Sequence, residues 1–413
     1  QYGYQQNFLK VGGNMATVIG KTSRSSETML ITSLMAGYSM VYMDKSMIST
    51  AIIPIASQFH FSSGQTGLMM SLFFLGYSLM QIPSGWLADR FGSKRVLMGS
   101  LFIIACFSYL FGIANGLLFF IVVRFCAGVG HGGYPPSCSK AIAENFPKER
   151  RTFVQSLILS TSGIGGILAF TLGAQLVDMN WHYAYIAMGT LFLVALLFVW
   201  RFVPKGQDGN RKASDQTEKT SFLAMLKNRN VFVLFLAMLL LNVLLYGNMS
   251  WLPSYITSTF NLSISQAGMI LAINAVFQTI ATIFAGQLLS KLFLHKEKRV
   301  ILIATLMVAA LLVGFVLSSN LYISVVLLLL ISMISVTAFT AIFTWPHKIM
   351  DANIIGSSIG IINTGGTLGG FLAPMVIGFL VQAAGGSFVP AFLFMAVMSL
   401  LCGMTVIAVK TKA

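Results

Sequence analysis

The chain has 413 residues, of which 56% are hydrophobic and only 9% charged, with a mean hydropathy of +0.82 and a formal net charge of +15. A soluble chain carries about 25% charged residues, so this composition excludes an ordinary soluble globular protein and points to repeated passage through a bilayer. The 38 glycines suit closely packed membrane helices, and Cys106, Cys126, Cys138 and Cys402 fall singly in apolar segments with no CxxC metal spacing.

Residues 1–28 form a polar N-terminal segment, in which 1–14 (QYGYQQNFLKVGGN) read as a tag remnant before a candidate start at Met15. Apolar runs follow near 29–56, 66–87, 96–115, 117–142, 153–177 and 181–203. A polar linker occupies 205–229. Further runs lie near 231–258, 265–292, 300–318, 321–345, 353–382 and 387–409, and 410–413 form a tail. These lengths predict an all-α polytopic membrane protein with 12 transmembrane helices in two pseudo-symmetric six-helix bundles, 29–204 and 230–409.

Charge orients the segments. Arg90, Lys94 and Arg95 follow segment two, and Lys148, Arg150 and Arg151 follow segment four. The linker follows segment six, Lys291, Lys296, Lys298 and Arg299 follow segment eight, and Lys348 follows segment ten. The alternate loops hold no Lys or Arg. The positive-inside rule then predicts cytoplasmic termini, and this bias accounts for most of the net charge without nucleic acid as a partner. The halves also echo each other: Gly85-Trp-Leu-Ala-Asp-Arg-Phe leads to Lys94-Arg95-Val96, and Gly286-Gln-Leu-Leu-Ser-Lys-Leu leads to Lys298-Arg299-Val300, the second copy lacking the acid.

Few ionisable residues sit at membrane depth, where a charge is costly and marks a pathway. Asp44 and Lys45 lie in segment one, roughly 22–24 Å along it at 1.5 Å per residue, and Arg124 lies about 10 Å into segment four from the other side. His131 is seven residues further on, on nearly the same face. Lys45 and Arg124 are candidates to clamp a carboxylate, and Asp44 to load and release a proton. His131 is either a second titrating group or a neutral histidine in a glycine-rich helix contact. Tyr77, Asn242, Tyr246, Asn248, Asn274, Gln278 and Asn363 are candidates for a polar cavity, or else for bonds between helices.

The stretch Gly85-Trp-Leu-Ala-Asp89-Arg90-Phe-Gly92-Ser-Lys94-Arg95 resembles the loop between the second and third helices of major facilitator superfamily transporters. Tyr38-Ser-Met-Val-Tyr-Met-Asp44-Lys45, Tyr77-Ser-Leu-Met-Gln81-Ile-Pro83-Ser-Gly85, Arg124-Phe-Cys-Ala-Gly128 and Gly360-Ile-Ile-Asn363-Thr-Gly-Gly-Thr-Leu-Gly369-Gly370 are similar to the anion:cation symporter branch, which includes sialin, the vesicular glutamate transporters and bacterial galactonate and glucarate permeases. The resemblance implies the major facilitator fold, a monomer in the bacterial inner membrane, and no enzyme activity, metal or bound cofactor. It implies symport of a small organic anion, a sugar acid or other carboxylate, with H+ or Na+ as coupling ion, by alternating access. On this basis Lys45, Tyr77, Arg124, Asn363, Tyr246, Asn242 and Gln278 bind substrate, and Asp44 and His131 carry coupling. Gly85, Asp89, Arg90, Gly92 and Arg95 then form a gating latch. Two positions depart from the branch: Lys45 replaces its usual arginine, and His131 replaces an acid common in its sugar-acid members. The alternative is a proton-coupled exporter of drugs or metabolites. The glycine-rich segment from Ser162 to Gly173 lacks the proline usual in such exporters, which lowers that reading.

Overall fold

The computed structural model describes residues 24–205, 227–291, 293, 296–350 and 355–410. The expectations for residues 1–23, for 206–226 of the linker and for 411–413 lie outside the described residues. Every long element is helical: α1 (Arg24–Phe59), α2 (Ser63–Phe91), α3 (Ser93–Gly112), α4 (Leu117–Asn145), α5 (Lys148–Leu168) and α6 (Ala174–Phe202), the last two joined by a π-helical turn (Ala169–Gly173). Then come α7 (Arg229–Phe260), α8 (Ile264–Lys291), α9 (Glu297–Leu317), α10 (Leu321–Thr344), one further turn (Pro346–Ile349), α11 (Ile355–Ala383) and α12 (Val389–Ile407).

Local chemistry sets the ends. Ser62 and Gln65 form a reciprocal capping box at the start of α2. Asn228 and Asn320 cap α7 and α10 through their side-chain oxygens. Gly92, at φ +84°, lets α2 turn into α3 within one residue, a conformation that other residues adopt at a cost. Within α6 the backbone leaves helical geometry at Asn180, whose Oδ1 accepts from the His182 N–H at 2.9 Å. This break falls between the fifth and sixth apolar runs. Among the described residues, nine helical stretches are long and apolar enough to cross a membrane, and the one at Phe153–Phe202 is 50 residues long. At 1.5 Å per residue that is about 75 Å, more than twice a ~30 Å hydrocarbon core.

Packing follows small residues. A Cβ on Gly76 would lie 2.2 Å from Phe125 O, and one on Gly128 would lie 2.1 Å from Phe73 O, so α2 and α4 approach backbone to backbone. Large apolar side chains such as Ile82, Leu118, Phe284 and Leu317 stay exposed, which suits contact with lipid. The helices α1–α6 pack largely among themselves, as do α7–α12. Between the two sets α2 meets α11, α5 and the π turn meet α8, and α1 meets α7.

One end of the molecule carries the basic loops. There Asp89 of α2 pairs with Lys140 of α4 at 2.6 Å, the Ser93 hydroxyl of α3 bonds Glu144 of α4, and buried Glu297 of α9 bonds Lys348. Ser93–Glu144 and Glu297–Lys348 stand at matching places in the two halves, immediately before Lys94-Arg95 and Lys298-Arg299 and at the same separation along the chain.

Candidate functional site

Three buried ionisable side chains of the first half, Asp44, Arg124 and His131, converge between α1 and α4. Asp44, on α1, is 2% exposed, and its Oδ2 lies 3.6 Å from an Arg124 guanidinium nitrogen and 2.9 Å from His131 Nε2. The seven-residue spacing along α4 does place Arg124 and His131 on one face, both toward the same carboxylate oxygen. The histidine contact is close but misaligned: neither ring nitrogen meets hydrogen-bond geometry with a partner among the described residues. Aromatic rings wall the cluster. Phe73 lies under the Arg124 guanidinium at 4.3 Å and edge-on to His131 at 4.9 Å, and Phe192 also meets the imidazole edge-on at 6.0 Å. A small cavity of about 10 Å³, room for about one water, is lined by Asp44, Arg124, Tyr185 and Phe111 among others.

Lys45 turns a different way. Consecutive helical residues point about 100° apart, and Lys45 projects toward α2 and α7 rather than α4. Its Nζ donates to the Tyr246 hydroxyl at 3.1 Å. It also lies 4.9 Å from the centroid of the Tyr246 ring, 5.1 Å from Tyr77, 5.2 Å from Phe74 and 5.8 Å from Tyr42. This is a cation held by ring faces, and no carboxylate ion-pairs with it among the described residues. The expected joint clamp of Lys45 and Arg124 is therefore divided in this structure: Arg124 is engaged by Asp44, and Lys45 stands alone in an aromatic cage shared between the two halves.

The other candidates are more dispersed. Tyr77 and Tyr246 belong to the cage. Asn242 is 5% exposed, bonds Met238 O within its own helix, and packs against Gly366 and Gly369 of α11, a helix contact rather than a cavity wall. Gln278 on α8 is half-buried and Asn363 on α11 is exposed. Of the latch residues, Asp89 bonds Lys140 within its own half. The Arg90 guanidinium lies over Trp86 and Phe91, Arg95 bonds Phe91 O, and Gly85 faces open space. Sequence reasoning passed over Tyr185, Phe73 and Phe74. It also passed over the polar contacts at the end opposite the basic loops.

At that opposite end the halves are sealed. A Cβ on Gly67 of α2 would lie 2.4 Å from Pro374 O of α11, and one on Gly378 would lie 2.4 Å from Ser63 O. Gln382 Oε1 accepts from the Gly64 N–H at 3.1 Å, and Asp178 Oδ2 accepts from the Ser265 hydroxyl at 2.6 Å and from its N–H at 3.3 Å. Each half thus supplies a side chain to the first turn of a helix in the other, where free N–H groups attract an acceptor. At the basic end Gly85, Gly286 and Gly360 would meet nothing within 4 Å.

Residues 34–374 match the family model described as Major Facilitator Superfamily. The chain is 24% identical over 373 residues to a probable sulfoacetate transporter of Cupriavidus necator, covering 86% of this chain and 87% of that one. It is 25% identical over 384 residues to a hexuronate transporter of Bacillus subtilis, covering 89% and 90%. Its fold superposes with a TM-score of 0.81, at 17% identity and over 94% of this chain and 99% of the other, on a bacterial homologue of the human lysosomal transporter Spinster in an inward-facing, unoccupied conformation.

Proposed function

This chain belongs to the major facilitator superfamily and is a multi-pass membrane transporter rather than an enzyme, and from that premise we propose that it carries a small organic anion by proton-coupled symport with alternating access. The observation that carries the reading is the buried group of Asp44, Arg124, His131 and Lys45. Ionisable residues at this depth line pathways, and Lys45, which pairs with no carboxylate among the described residues, offers an anion its counter-charge. The relatives named for sulfoacetate and hexuronate support a carboxylate or sulfonate substrate.

Topology follows from the same proposal. The break at Asn180 divides the long 153–202 stretch into two spans, and with α1 and α2, which stand outside the nine apolar stretches, the helices make twelve crossings in two six-helix bundles. The basic end faces the cytoplasm by the positive-inside rule, with both termini on that side of a bacterial inner membrane. The sealed end is then the outer one and the conformation is open inward. Anion binding engages Lys45, with Tyr77 and Tyr246 beside it. A proton on Asp44 weakens its hold on Arg124, so loading and release change the charge that the substrate meets.

The test is uptake into proteoliposomes under an imposed inward proton gradient, with labelled sugar acids, monocarboxylates and sulfonates. Gradient-driven accumulation of an anion, and loss of its dependence on the gradient in Asp44→Asn, is the expected result. Movement of a cationic compound against the proton flow, with no anion uptake, refutes the reading.

A further inference from the structure

The two deep cations are not equivalent in charge. Arg124 faces a carboxylate, Asp44, so its charge is already met inside the protein. Lys45 faces a neutral hydroxyl and four ring systems. The other buried acid among the described residues, Glu297, is bonded to Lys348 at the basic end. With His131 neutral, the charged groups of the central region sum to one positive charge, and it sits on Lys45 Nζ.

We infer that the site selects organic acids bearing a single negative charge and discriminates against dianions built on the same carbon frame. The inference rests on the anion-carrier reading above and narrows it to monoanions, the charge of a hexuronate, setting this chain apart from the relative named for sulfoacetate, a dianion. One carboxylate can pair with Lys45 by taking the place of the Tyr246 hydroxyl, and a buried ion pair is tolerated because each charge has its partner. Among the described residues a second carboxylate finds no free cation beside Lys45. Arg124 is occupied, and separating it from Asp44 would strand that acid at 2% exposure. The remaining walls near Lys45 are the faces of Tyr42, Phe74, Tyr77 and Tyr246, and an aromatic face is the negative part of its quadrupole, which attracts a cation and repels an anion. Lys45 itself is 9% exposed.

The experiment compares matched pairs on the full-length protein in nanodiscs by titration calorimetry. The pairs are D-glucuronate against D-glucarate and benzoate against phthalate, at pH 8, above the ordinary imidazole range of about 6.5. The monoanion of whichever pair binds is expected to be about tenfold or more tighter than its dianion. Asp44→Asn frees the Arg124 charge and is expected to narrow that ratio by about tenfold, a gain for the dianion that loss of folding cannot imitate. Lys45→Gln removes the monoanion's advantage. A dianion that binds the wild-type chain as tightly as its partner, or a ratio unmoved by Asp44→Asn, overturns the single-charge inference and leaves the carrier reading standing. Failure of all four acids to bind a chain that still unfolds cooperatively overturns the anion reading and this inference with it.

Discussion

Replacing Gly67 by alanine tests whether the sealed end is one of two states or a fixed feature of the fold. The added Cβ would lie 2.4 Å from Pro374 O, about 1 Å short of the 3.4 Å at which ordinary contact begins. That carbonyl cannot swing aside freely, because it accepts the Trp251 indole N–H at 3.0 Å. The helices α2 and α11 must therefore part at this end. Overpacking of this kind costs about 1–3 kcal/mol, and the whole cost falls on the sealed state. The ratio of sealed to open forms should then drop by roughly 5- to 150-fold. The readout is electron–electron spin distance between labels at Ser57→Cys on α1 and Ser258→Cys on α7, both exposed near this end, in a chain freed of its four cysteines. A longer-distance population should appear in Gly67→Ala. The control is Gly85→Ala, where a Cβ meets nothing within 4 Å and no change is expected. An unchanged distribution in Gly67→Ala, or an equal shift in Gly85→Ala, refutes the argument.

Three further outcomes follow from the same geometry. Asp178→Ala and Gln382→Ala each remove an acceptor from a helix start in the opposite half, worth about 1 kcal/mol; the same spin labels should report a several-fold shift for each, nearly multiplicative in the double variant. Arg124→Ala leaves Asp44 buried beside a histidine alone and should destabilise the protein by about 3–5 kcal/mol. Thermal unfolding should show most of that loss recovered when Asp44→Ala is added, and no recovery would mean the ion pair is not what the loss reports. Gly92→Ala forces a Cβ into φ +84° and should lower stability by about 1–2 kcal/mol, seen as a fall in the unfolding midpoint; an unchanged midpoint would mean the turn relaxes.

Hydropathy made the helices readable, because a span needs about 20 apolar residues and little else competes for such a run. The face shared by Arg124 and His131 was readable for a similar reason, since helical periodicity is local. Partner choice was not. Asp44 and Lys45 are neighbours in sequence, yet one turns to α4 and the other to α7, and only the packing of three helices decides that. Asn242 was open to two readings, cavity residue or helix contact, because an amide in a membrane segment suits either. Its neighbours Gly366 and Gly369 lie more than a hundred residues away, and they are what pull it into a helix contact. The seal at the far end had one legible sign: Asp178 and Gln382 stand at the same spacing as the paired Lys94-Arg95 and Lys298-Arg299 motifs. An acid at one site and an amide at the other share only the ability to accept a hydrogen bond, which similarity of residue type does not reveal.

The matched bonds Ser93–Glu144 and Glu297–Lys348 bear on how far the two halves can exchange parts. Each joint contains one carboxylate, but in the first half α4 contributes it and in the second half α9 does. Moving a single residue across the repeat breaks the complementarity in either direction. Ser93→Glu would set two acids against each other, and Glu297→Ser would leave the Lys348 ammonium facing a hydroxyl. Only the pair can be transplanted. A chain assembled from two copies of either half would remain consistent at this joint, whereas one that mixed them residue by residue would not.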